Sequence, residues 1–154
     1  MTTATAAADR EGSDLTVRAR AEEQVAVALE YVQGKRRIER VLEAADVLLT
    51  RFAGEPDIHR RLEMFFELVR RNFSQEISVE FDGSVFRTED RAQEADAVDC
   101  AFLIECPDGR HGVITVRYAP PGTLGLTASE WRAAMGLLAR IAGLGSGGHA
   151  RCVR

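Results

Sequence analysis

The sequence predicts an α+β fold: an antiparallel β-sheet made of hairpins, with long N-terminal helices and a C-terminal helix packed on one face. Three observations carry that prediction. Apolar residues recur at three- and four-residue steps through the first half of the chain. Alternating stretches then surround Asp82-Gly83 and Asp108-Gly109, the dipeptide favoured in tight hairpin turns. A T-x-x-E capping box and a pair of glycines frame a last helix.

A disordered leader is expected over 1–13, followed by a helix over 14–52 capped by Ser13 or Asp14. Its second half shows the stripe Ile38, Val41, Leu42, Ala45, Leu48, Leu49 and Phe52, and its first half a narrower one of Val25, Ala28, Leu29 and Val32. Between them, at Gln33–Arg37, the phase slips and Gly34 weakens the helix. A rod of about 39 residues would be about 58 Å long at 1.5 Å per residue, more than one small core can cover. Two outcomes follow: coiled-coil pairing with a second copy, or folding back at Gly34.

A compact domain is expected over 53–145. Pro56 suits the first turn of a second helix, whose stripe of Ile58, Leu62, Phe65, Phe66, Val69 and Phe73 reads as core. Ile77, Val79 and Phe81 alternate with Ser78 and Glu80 before a two-residue turn at Asp82-Gly83. The second hairpin turns at Asp108-Gly109 and ends near Pro120. Thr127 and Glu130 then cap a helix with the stripe Trp131, Ala134, Met135, Leu138, Ile141 and Ala142. The remaining residues, 146–154, read as a flexible tail.

With 45% apolar and 29% charged residues among 154, the composition is that of one soluble globular domain. A net charge of −4 argues against nucleic acid as a partner. Ten acids face three bases over 72–110, whereas one acid faces five arginines from His111 onward. The acids gather at Thr88–Asp99, read as a solvated loop or short surface helix, or as a lid that helps select or repel a charged ligand. No apolar run is long enough for a membrane span, and the leader has no secretory h-region. Three cysteines in such a chain imply reduced thiols and a cytoplasmic location.

A two-residue turn at Asp108-Gly109 sets the register of the second hairpin. Cys106 then opposes His111, Ile104 opposes Val113, Phe102 opposes Thr115 and Cys100 opposes Arg117, all on one sheet face. The other face carries Ala101, Leu103, Glu105, Ile114, Val116 and Tyr118, an aliphatic layer for helices. The mixed face suits a small ligand: Phe102, Ile104, Val113 and Cys100 as walls, Thr115 as a polar contact and Arg117 as an anchor for a carboxylate or phosphate. Against that, Arg117 at a sheet margin would reach water.

Cys106 beside His111 would be a candidate redox pair, with the imidazole favouring the thiolate. A nucleophilic dyad needs an orienting third group, and a three-residue turn would undo the contact. Cys100 and Cys106 lie about 20 Å apart along one strand and cannot join. No metal spacing, P-loop, dinucleotide fingerprint or nucleophile elbow occurs. The chain reads as non-enzymatic, and no cofactor is specified.

"RHGVITVRYAPPGTLGLTASEWRAAMGLLARIAGL" resembles the ending of GAF domains, and "RRIERVLEAADVLLTRFAGEPDIHRRLEMFFELVRRNF" resembles their two opening helices. The likeness covers most of Arg36 to Leu144 and is a pattern without invariant chemistry. It implies a regulatory domain with a six-stranded antiparallel sheet, dimerising terminal helices on one face and a small-molecule pocket on the other. The chain departs from the family in its middle, reduced to "TEDRAQEADAVD", and shows four strands. It lacks the N-K-x-D-E pattern of cyclic-nucleotide binders and the Cys-His pair of bilin binders. Its cysteines do not match those of free-methionine sulfoxide reductases.

The expected function is signal transduction. A homodimeric sensor binds a small anionic ligand on its sheet face and signals through its helices to a separate protein partner. A ligand-free dimeric scaffold is the alternative, and a thiol-based redox sensor or enzyme the third.

Overall fold

The computed structural model describes the backbone of residues 4–74, 76–88, 98–118 and 125–153, and the side chains of 18–74, 76–88, 100–117 and 125–153. They form an α+β architecture: α1 (Ala4–Gly54), α2 (Ile58–Asn72), β1 (Ile77–Phe81), β2 (Ser84–Arg87), β3 (Val98–Glu105), β4 (His111–Tyr118), α3 (Ala128–Gly145) and β5 (His149–Val153). Internal contacts divide the chain into two units, 1–39 and 40–154. Among the described residues no helix is long and apolar enough to cross a membrane.

The first unit is helical. α1 begins at Ala4, ahead of the cap expected at Ser13 or Asp14, so from Ala4 onward the expected leader is helix. Alanines at 4 and 6–8 favour helix strongly. The helix also runs through Gly34 without a break, which removes folding back at that position. Val25, Leu29 and Tyr31 remain 67%, 55% and 74% exposed.

The second unit holds the core. From α1 it takes Ala44, Ala45, Leu48 and Phe52. Asp57 caps α2, its carboxylate accepting from the His59 N–H at 2.9 Å, so Pro56 precedes the cap and is not in the first turn. Leu62, Phe65, Phe66, Leu68 and Val69 of α2 are buried. α3 starts at the expected capping box of Thr127 and Glu130 and buries Trp131, Met135 and Leu138. Trp131 Nε1 donates to the carbonyl of Phe73, the C-cap of α2, at 3.0 Å, satisfying a buried group on each side. Arg61 Nη1 donates to the Gly145 carbonyl at 2.7 Å, tying α2 to the end of α3. At Gly145 an added Cβ would sit 2.7 Å from the Phe52 ring, so only glycine lets α1 and α3 meet there.

The five strands form one antiparallel sheet in the order β2-β1-β4-β3-β5. β1 and β2 are joined by the expected two-residue turn, with Asp82 at φ 47 and Gly83 at φ 81. β5 was not expected. The segment read as a flexible tail pairs with β3, Ala150 opposite Ile104 and Cys152 opposite Phe102. The turn is built close: a Cβ on Gly143 would lie 2.6 Å from the Ala150 nitrogen, and one on Gly148 2.2 Å from the Glu105 carbonyl oxygen.

Candidate functional site

The chemistry expected of the second hairpin depends on its turn, and the turn is not the one expected. Glu105 opposes His111, Ile104 opposes Gly112, Leu103 opposes Val113, Phe102 opposes Ile114, Ala101 opposes Thr115 and Cys100 opposes Val116. Every pair is one residue off the two-residue register. Pro107 supplies the reason. Closing a two-residue turn would require a Pro107 N–H to donate to Arg110, and proline has none. Cys106 N–H takes that bond instead, at 2.9 Å to the Arg110 carbonyl, while Gly109 N–H donates to the Cys106 carbonyl at 3.0 Å. Gly109 sits at φ 87, the left-handed position of a three-residue loop that ends in a glycine bulge.

Asp108 locks this loop. Its carboxylate accepts from the Arg110 N–H at 3.1 Å and from Arg110 Nε at 2.7 Å. The backbone N–H first, and then the guanidinium, hold the Asp108 carboxyl below its ordinary range and raise Arg110 in return.

A one-residue slip sends one strand's side chains to the opposite sheet face. The expected ligand set therefore divides. Cys100, Phe102 and Ile104 lie buried on the helix-packed face with Ile77, Val79, Phe81, Ile114, Val116 and Ala150. Val113, Thr115 and Arg117 lie on the outer face, joined by Ala101, Leu103 and Glu105. One greasy and one varied side persist, with β3 residues exchanged between them.

On the outer face, two cross-strand rows run Val85-Glu80-Val113-Leu103-Arg151 and Arg87-Ser78-Thr115-Ala101-Val153. All of these side chains are at least partly exposed. The centre is small or apolar, and charge collects at the rims. Arg87 pairs with Glu80 at 3.0 Å, and Glu105 receives both Arg151 at 3.3 Å and His149 at 3.4 Å.

Arg117, the expected anion anchor, is already engaged. Its Nη1 lies 2.8 Å from Glu76 Oε2, both side chains half-buried, and its carbonyl accepts from Ser74 Oγ at 2.6 Å. An anionic ligand would have to displace the Glu76 carboxylate. The thiol pair is also parted. His111 is exposed opposite Glu105, whereas Cys106 Sγ donates to the Ser146 carbonyl at 3.3 Å beneath the end of α3. Among the described residues, no three His, Cys, Asp or Glu side chains gather where a metal ion could be held. No family model matches the chain, and no curated protein matches it.

Proposed function

We propose that the chain is a dimeric regulatory module of the GAF-like kind that acts in the cytoplasm on a separate protein partner, with α1 as its pairing element. One observation carries this reading: in residues 18–39, Val25, Val27, Leu29, Tyr31 and Val32 are large, apolar and 43% exposed or more. A helix with such a surface gains little from water and much from a partner helix. Lys35–Glu39 and Arg37–Glu30 pairs, at 3.8 and 3.2 Å, leave the polar flanks self-satisfied. Sedimentation equilibrium of the full chain tests it: a dimer is expected, and Leu29→Glu with Val32→Glu should yield a folded monomer. A wild-type monomer at all concentrations rejects the reading.

Within the module, the outer sheet face around Val113, Thr115, Ala101 and Leu103 is the surface offered to a small ligand. The Glu76–Arg117 pair favours the second reading, a dimeric scaffold without a ligand, because the cation that would select an anion is compensated. Thermal-shift screening against metabolites separates the two, since a ligand raises the melting temperature with concentration.

A further inference from the structure

β5 is the last strand of the sheet, so its outer backbone edge has no strand neighbour among the described residues. An open edge of this kind is a template for another strand. Natural edges are commonly blunted by charge, proline or bulges. β5 carries charge in His149 and Arg151, both paired with Glu105 of β3, and a groove of about 490 Å³ runs beside the edge, between β5 and α3. Gly143 presses α3 onto Ala150 at one end, and the elements part toward Cys152 and Ser129 at the other. The floor is Phe102, and Gly136 lies above it, where even an added Cβ would stand 4.0 Å from the ring. Arg132 and Arg140 stand on the α3 wall, both exposed, and neither pairs with a carboxylate among the described residues.

We infer that this groove takes an extended acidic peptide from a partner protein, added as a strand to β5 with its carboxylates on Arg132 and Arg140. The spacing selects the sequence. Eight helical residues separate the arginines by about 12 Å at 1.5 Å per residue. Four strand residues span about 13 Å and return the side chain to the same face. The ligand is thus an extended segment with acidic residues at positions i and i+4 and a small apolar residue at i+2, over Gly136 and Phe102. This surface is independent of pairing through α1.

The test uses the full chain and a fluorescent, end-blocked heptapeptide Thr-Glu-Thr-Val-Thr-Glu-Thr. Saturable binding that weakens with salt is expected. Arg132→Glu with Arg140→Glu should weaken it at least tenfold with an unchanged melting temperature, as both side chains are exposed. Lysines in place of the two glutamates should restore binding to that variant. Bound peptide should also shield Cys152, which lines the groove, from alkylation while leaving Cys106 unchanged. Wild-type protein that fails to bind below about 1 mM, or a double variant that binds equally, overturns the proposal. A peptide N-methylated on alternate amides that binds as well as the parent overturns strand addition and leaves only a charged surface.

Discussion

Two hairpins in this protein carry the same Asp-Gly dipeptide and turn differently. In β1–β2, Asp82 and Gly83 are the whole loop, both at positive φ, and Phe81 pairs with Ser84. In β3–β4, Asp108 and Gly109 are the last two residues of a three-residue loop, and Glu105 pairs with His111. The residue before each aspartate makes the difference. Phe81 can donate its N–H to close a two-residue turn; Pro107 cannot. A proline instead suits the first central position of a type I turn, and glycine then completes it in the left-handed region. One missing hydrogen, two residues ahead of the glycine, removes the two-residue turn, and the burial of Phe102 and Ile104 fixes which side chains of the eight-residue strand meet the helices.

The sharpest way to break this contrast is at Gly112, which faces Phe81 where the two hairpins join. An added Cβ would lie 2.3 Å from the Glu80 carbonyl oxygen, so Gly112→Val should cost about 3 kcal/mol or more in chemical denaturation. A loss below about 1 kcal/mol would mean that the join is looser than described.

The register comes next. Ile104 is fully buried and Leu103 only partly, so Ile104→Ala should cost about 2–5 kcal/mol and Leu103→Ala markedly less. Equal losses would contradict the assignment of the two faces. At the turn, Gly109→Ala should cost about 1 kcal/mol, because an L side chain is strained at φ 87.

Pro107→Ala restores an N–H and with it the option of a two-residue turn. The buried Phe102 and Ile104 should still hold the strand in place, so nuclear Overhauser contacts should persist between Leu103 and Val113. Their replacement by contacts between Ile104 and Val113 would make the proline alone responsible for the register. The smallest effect concerns pH. Arg110 lowers the folded-state pKa of Asp108, so its contribution is complete above the ordinary carboxylate range and is lost as pH falls through the folded value. Asp108→Asn should flatten that acidic slope, which carboxyl-detected NMR titration and denaturation against pH can follow together.

Elements whose local chemistry agrees with their surroundings were legible in the sequence. The Asp82-Gly83 turn, the Thr127 capping box and the aromatic stripe of α2 each rest on residues within a few positions of one another. The register of β3 was misread because Asp-Gly is a strong turn signal, while the veto came from a proline that itself lies inside the loop. β5 was invisible for another reason. It buries only Ala150, and its place is set by backbone pairing with β3 and by glycines that permit close approach, neither of which leaves an apolar pattern. The candidate ligand face inherited the register error, so its β4 members stayed and its β3 members changed sides. Glu76, the partner that occupies Arg117, lies more than forty positions away in the chain, beyond the reach of spacing arguments.

The pairing of β1 with β4 also sets a route for folding. Each hairpin closes a short loop and can form on its own within microseconds, yet neither is stable alone. The seam between them ties residues 77–81 to 112–116, a long closure whose entropy must be met before any reward is gained. The slow step is then the docking of two preformed ribbons, and the side-chain-free surface of Gly112 is the landing point. Substitutions there, and in the Asp108 loop that is already closed when the ribbons dock, should retard refolding more than they accelerate unfolding.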